Sequence, residues 1–354
     1  MSLQELITAS QRYGRDPSLV LLGGGNTSYK EGNILYVKAS GHALGTIDES
    51  GFVKMDRSKL AELWDHDFSS DDAAREAEVL ELMMGARLAG ESARPSVEAL
   101  LHALLPFTYV VHLHPALVNG LTCSKEGEAY TKKLFPKALW VELVKPGFIL
   151  ADTIRLALEG LQTTPNLIVL QNHGIFVGAA SLEEIEDYYR HVLLTLEAHL
   201  TRGVDETPVH IEQAIFDPIN EEIKRLFMNE VSYFHTKETE HFLKDEASFY
   251  PISSSFTPDH IVYSGFKPLY VKRGDSISEA FKAYAEAYGK NPKIIAVQGV
   301  GVFGHGEKPL ALFIDTIRVS VYSESFGGPL FMTEEMIEFI RTWEVEQYRA
   351  TISK

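Results

Sequence analysis

Apolar residues in this chain come in short runs, and that shortness limits the folds open to it more than any other feature. Leu19–Leu22, Ile34–Val37, Thr108–Leu113, Leu167–Leu170, residues 260–263 and residues 293–298 are each four to six residues long. Bounded by glycine and polar turns, runs of this length predict strands of a sheet. Stretches of helical periodicity lie between them. Leu3, Leu6 and Ile7 share a helix face behind Ser2 as N-cap, and residues 72–89, 96–105 and Pro115–Cys123 read as helices. Ser181, followed three residues later by Glu184, predicts a capping box opening a long amphipathic helix. Further helices are expected near 220–235, 277–289, 309–325 and 333–350. Strands alternating with helices give an α/β class. No apolar run approaches the ~18 residues of a membrane span, so no membrane helix is expected.

A chain of 354 residues is long enough for two domains. Periodicity fades over residues 202–217, which places the boundary there: 1–208 as the larger domain, 209–354 as a smaller α/β domain. Neither an internal repeat nor a low-complexity tract is apparent. The formal net charge of -16 repels nucleic acid and anionic membrane, so an anionic substrate needs a local positive centre. The single cysteine, Cys123, excludes an internal disulfide and suits a reducing compartment. With no signal-peptide pattern at the N-terminus, a cytoplasmic protein is expected.

Chemistry concentrates at Val111-His112-Leu113-His114-Pro115. On a strand, residues i and i+2 face the same side, so both imidazoles project together. Such a pair suits Zn²⁺ or another borderline metal, but alone it is equally a hydrogen-bonded core feature. His173 shifts the weighing, because it ends another strand and precedes Gly174, where backbone can approach an ion. Three protein ligands with one open position describe a catalytic metal site. Glu98, at the start of a helix, is the candidate ligand or proton-transfer base, and His102 one turn later is either a supporting group or a core histidine. Gly23-Gly24-Gly25-Asn26-Thr27-Ser28 offers backbone N–H groups to an anion, as do Lys38-Ala39-Ser40-Gly41 and Ser96 at a helix start. Beside a metal, these three clusters predict a phosphorylated-sugar site.

The segments GGGNTS, KASG, PSVEALLH, HLHP and QNHG, in that order, resemble the class II aldolase/adducin family up to about residue 205. The resemblance implies a three-layer α/β/α fold around a mostly antiparallel sheet, and homotetramers with active sites between subunits. It implies a metal on His112, His114 and His173, with Glu98 as ligand or acid/base. Asn26, Ser40, Gly41 and Ser96 then take the phosphate-contacting positions, with Gly25 in the same loop. PDHIVYSGFKPLYV, KIIAVQGVGVFGHG and WEVEQYR resemble the aldolase portion of bifunctional rhamnulose-1-phosphate aldolase/alcohol dehydrogenases, whose dehydrogenase domain is not expected here. Two departures stand out. Val97 replaces the second of two serines found in the fuculose-phosphate members, and the family's tyrosine acid has only Tyr130 as a loose counterpart.

Gly299-Val300-Gly301-Val302-Phe303-Gly304 satisfies the GxGxxG pattern of dinucleotide-binding folds. Such folds enter a helix at once and continue through further βαβ units. Here His305-Gly306-Glu307-Lys308-Pro309 intervenes, so a turn or an anion site is expected and no nicotinamide cofactor. The reading is therefore a divalent-metal (zinc) aldolase acting on a ketose 1-phosphate such as rhamnulose 1-phosphate. A pentulose-phosphate 4-epimerase and a non-catalytic adducin-like scaffold are the alternatives.

Overall fold

The computed structural model describes residues 2–343. They form two compact units, residues 2–118 with 127–198 and Trp343, and residues 119–126 with 199–342. In the first unit, seven strands make one sheet: β1 (Asn26–Glu31), β2 (Ile34–Lys38), β3 (Phe52–Asp56), β4 (Tyr109–Leu113), β5 (Leu139–Val141), β6 (Leu167–Leu170) and β7 (Gly174–Ala179). Their order is β3-β2-β1-β4-β7-β6-β5. Every neighbouring pair is antiparallel except β5 with β6.

Strand alternation sends side chains to two helical layers. On one face, Leu35, Val37, Val53, Met55, Val110 and Phe176 pack with Leu100, Leu101, Leu150 and Ile154 from helices Ala99–Leu104 and Phe148–Glu159. On the other, Thr27 meets Ser10 of helix Leu3–Arg15 at 2.7 Å, and the Tyr189 hydroxyl of helix Leu182–Glu197 donates to the Val111 carbonyl at 3.1 Å. This is the expected three-layer, mostly antiparallel arrangement. Caps start the outer helices as the residue types dictate. Ser2 and Glu5 form a complete capping box. At Ser181 the box is altered: its hydroxyl accepts the Glu184 N–H, while the Glu184 carboxylate reaches past it to the Ala180 N–H at 3.1 Å.

The second unit holds β8 (Val231–Phe234), β9 (Leu269–Val271), β10 (Ile294–Val297) and β11 (Gly301–His305), ordered β8-β11-β10-β9. Its sheet is apolar on both faces. Ile294 and Ala296 pack with Phe313 and Ile317 of helix Glu307–Ser323, and Ile295 and Val297 with Ile223, Ile277 and Phe281.

Three expected strands or helices differ. Leu19–Leu22 is a turn, and the strand starts only at Asn26. Residues 260–263 form part of a wide helical turn, His260–Ser264, with all five residues buried. The helix expected at 220–235 runs Gln213–Leu226, and β8 follows it. Among the described residues the last helix is Glu334–Thr342, and the rest of the helix expected to 350, with most of the WEVEQYR segment, lies outside them. The GxGxxG segment is a hairpin turn between antiparallel β10 and β11, with Val297 opposite Gly301.

Candidate metal centre

β4 is the middle strand of the first sheet, and its register puts His112 opposite Asn26 of β1 on one side and Phe176 of β7 on the other. His114 follows the strand end. His173 closes the three-residue turn joining β6 to β7, where Leu170 pairs with Gly174. The Nε2 atom of His112 lies 2.8 Å from that of His114 and 3.4 Å from that of His173. One ligand atom from each of the three lies within 4.8 Å of the others.

Local chemistry settles what these rings present to one another. His112 Nδ1 sits 2.9 Å from the Ile175 carbonyl oxygen, which only accepts. Nδ1 therefore carries the hydrogen and Nε2 the lone pair, the tautomer of a metal ligand. Phe176 stacks on the same ring at 4.0 Å and holds its plane. Gly174 is required beside it: a Cβ there would lie 2.6 Å from the Leu113 carbonyl oxygen and 2.7 Å from the His114 ring.

Glu98 sits at the N-cap of helix Ala99–Leu104 and is buried. Ser96 Oγ accepts its N–H at 3.3 Å, and Asn26 Nδ2 donates to its Oε2. Its other oxygen, Oε1, is buried without a hydrogen bond, 3.5 Å from His112 Nε2 and 3.7 Å from His173 Nε2. An orphaned carboxylate oxygen facing the His112 lone pair is disfavoured unless a cation joins them. Four tetrahedral nitrogens at zinc's usual bond length stand about 3.3 Å apart, close to the 3.4 Å His112–His173 spacing and wider than the 2.8 Å between His112 and His114, which an ion would part. This donor set fits a divalent metal.

A chain of hydrogen bonds orients the carboxylate. Because Asn26 Nδ2 faces Glu98, its Oδ1 faces His102 Nε2, which must carry the hydrogen. His102 Nδ1 then accepts from the Ser28 hydroxyl at 2.7 Å. Burial, with the nearby Lys30 charge, holds His102 well below the usual imidazole range, so the ring stays neutral. Each link donates toward Glu98. Ser28, expected in the glycine-rich run as part of an anion site, is instead buried in β1 on the same face as Asn26, and its hydroxyl serves His102.

The remaining candidates are distributed as follows. Ala39 bridges Pro95, Ser40 N–H donates to the Arg94 carbonyl at 2.8 Å, and Ser96 N–H to that of Lys38 at 3.0 Å. The segment reaching Gly41 therefore runs beside the one carrying Ser96. The Lys38 ammonium donates to the Gly23 carbonyl at 3.3 Å, which ties in the glycine run. Gly25 turns into β1 with φ 65°, and a Cβ there would meet the His112 carbonyl oxygen at 2.8 Å. Tyr130 lies on helix Gly127–Leu134 with the Lys133 ammonium 5.4 Å above its ring.

A Bacillus subtilis protein, the uncharacterized oxidoreductase YuxG, is 23% identical over 414 residues, covering 99% of this chain. The chain spans 58% of that relative's length. The N-terminal class II aldolase domain of a conserved protein from Thermoplasma acidophilum is similar at 28% identity and a TM-score of 0.49, covering 56% of this chain and 93% of that one. An L-fuculose 1-phosphate aldolase from Glaciozyma antarctica is similar at 14% identity and a TM-score of 0.37, covering 63% and 89%. Residues 4–199 match the family described as class II aldolase and adducin N-terminal domain, and the chain belongs to that family.

Proposed function

We propose that the chain is a metal-dependent aldolase that cleaves a ketose 1-phosphate, such as rhamnulose 1-phosphate or a related sugar phosphate. Zinc or another divalent ion is held by His112, His114 and His173. The buried Oε1 of Glu98, without a hydrogen bond and facing two of those imidazoles, carries the proposal. A non-catalytic scaffold gains nothing from such an atom, which weakens stability. Bound there, a divalent ion supplies Lewis acidity to a ketose carbonyl and its neighbouring hydroxyl oxygen.

The chain's own residues do the rest. Glu98 Oε1 carries the proton. The hydroxyl on the far carbon of the breaking C–C bond gives its proton up to Glu98, directly or through water, and becomes the aldehyde. The bonding pair stays on the carbon beside the carbonyl, and Glu98 returns the proton to that carbon of the three-carbon phosphate fragment. Asn26, oriented by His102, keeps the carboxylate from rotating away. Gly25, Asn26, Ser40, Gly41 and Ser96 surround the phosphate; the Ser40 and Ser96 N–H groups are taken by the Arg94 and Lys38 carbonyls, so these two residues serve it through their hydroxyls. The Asn26 amide already serves Glu98 and His102, so its part in phosphate binding is secondary. Residues 1–208 form the metal-binding domain, 209–354 an accessory one, and the working form is a cytoplasmic homo-oligomer, a tetramer by family resemblance. No nicotinamide takes part, a reading supported by a GxGxxG segment that turns a hairpin instead of opening a helix.

Elemental analysis of purified protein, followed by a panel of ketose phosphates assayed for aldehyde release, tests the proposal. Retained zinc, cobalt or manganese with aldehyde release from a ketose 1-phosphate is expected. Interconversion of pentulose 5-phosphates without net aldehyde would make the chain an epimerase instead. Failure to retain any of these metals would favour the scaffold.

A further inference from the structure

The second unit repeats half of the first. Strands β4, β7, β6 and β5 stand in the same order and sense as β8, β11, β10 and β9. In each set the first two neighbouring pairs are antiparallel and the last is parallel. The registers coincide residue by residue. His112 faces Phe176 as Tyr233 faces Phe303, Leu170 pairs with Gly174 as Val297 with Gly301, and Val141 pairs with Leu170 as Val271 with Val297. Even side-chain locks recur. Gln171 Oε1 accepts the Leu143 N–H at 3.0 Å, and Gln298 Oε1 accepts the Arg273 N–H at 2.9 Å. Asn172 and Gly299 both turn the chain with positive φ, 55° and 69°. Ile168, Gln171, Gly174 and Phe176 return as Ile295, Gln298, Gly301 and Phe303. A long helix follows each hairpin, Leu182–Glu197 and Glu307–Ser323.

This correspondence places Tyr233 where the first unit has His112, His235 where it has His114, and Val300 where it has His173. Tyr233 packs on Phe303 at 4.9 Å, as His112 stacks on Phe176, and its hydroxyl donates to the Val300 carbonyl at 2.6 Å. The side chain thereby reaches from the counterpart of His112 to the counterpart of His173. His235 is 6% exposed, and neither ring nitrogen has a hydrogen-bond partner among the described residues. A buried imidazole with both nitrogens unsatisfied is disfavoured. It has no evident duty in its present surroundings, but it stands at a ligand position of the repeated frame.

We infer that the second unit is an internal copy of the histidine-bearing half-sheet, disarmed as a divalent-metal site by Tyr233 and Val300, with His235 the retained third ligand. The GVGVFG segment is then the counterpart of the QNHGIFV turn and owes its glycines to that hairpin, not to a dinucleotide. The inference rests on the proposed metal role of His112, His114 and His173. It implies one ion per chain, and it implies that two substitutions rebuild a second site.

Equilibrium dialysis of the full chain against Co²⁺, with elemental analysis, tests it. The unchanged chain should bind one ion, the Tyr233→His, Val300→His chain two, and the same chain with His235→Ala one again. A folded double variant that still binds one ion overturns the copy and leaves the first site standing. An unchanged chain that binds none sinks the proposed function alone, provided the double variant then binds one that His235→Ala removes. Should the double variant lose its native far-UV spectrum, Tyr233→His with Val300→Asp, a ligand close to valine in size, carries the test. Its second Co²⁺ should bind at least tenfold more weakly than the first and vanish with His235→Ala, and no second uptake overturns the inference.

Discussion

At the scale of single residues, Glu98 divides its two oxygens between two tasks. Oε2 is tied to Asn26, and through it to His102 and Ser28, whereas Oε1 faces the histidines. Glu98→Gln preserves the size of the side chain but cannot accept a proton. We predict that this variant keeps metal within about tenfold of the parent affinity while aldehyde release falls roughly 10²–10⁴-fold, the usual share of a general acid or base. Activity unchanged within a factor of three would remove Glu98 from the chemistry. The histidines were legible because strand period two is a local rule: His112 and His114 share a face whatever lies around them. The working of Glu98 was not. Which oxygen is occupied depends on Asn26, 72 residues away in sequence, and no local rule reaches that far.

At the scale of elements, helix Phe148–Glu159 is capped by a carboxylate from another helix. The Phe148 N–H donates to Glu76 of helix Asp72–Gly85 at 3.3 Å. Burial pushes the Glu76 carboxyl from 4.5 up to about 7, despite the opposing N–H and Arg75. The folded value is raised above the unfolded one, so its contribution is full below pH 4.5 and is lost as pH rises through about 7. A shift of this size corresponds to at most on the order of 3 kcal/mol. Glu76→Gln retains an acceptor for Phe148 and cannot charge. Its melting temperature, compared with the parent's from pH 4 to pH 8, should gain steadily on the parent across that window; parallel curves would refute the buried charge. Helix starts such as Ser2 and Ser181 were readable because a cap acts within four residues. The run His260-Ile261-Val262-Tyr263 misled, since β-branched and aromatic residues suit any half-buried surface. All of them are buried in a helical turn, where the His260 ring meets Asp315 at 3.0 Å.

For the molecule as a whole, the metal centre should be dispensable to folding. Its histidines sit on a strand end and a hairpin turn of a sheet packed on both faces, not on a loop that the ion itself must close. Exhaustive treatment with a chelator should abolish aldehyde release and leave the far-UV circular dichroism intact. At metal concentrations about 100 times Kd, linkage adds roughly 2.7 kcal/mol, so removal should lower the melting temperature by no more than roughly 10 °C. Collapse of the spectrum on chelation would make the ion structural. No helix among the described residues is long and apolar enough to cross a membrane.

The sequence alone determined the class of the fold and marked His112, His114, His173 and Glu98, which the first unit brings together, because short apolar runs, helix caps and strand alternation act between near neighbours. Tertiary structure decided how those residues are used. It set the tautomers of His112 and His102, the rotation of Glu98, the hairpin made by GVGVFG, and the repetition of one half-sheet in the second unit. Each of these depends on the register of strands far apart in the chain. Register follows the hydrophobic pattern and the turn geometry, which many different residues satisfy equally, so four shared residues in a repeated hairpin were too few to announce it.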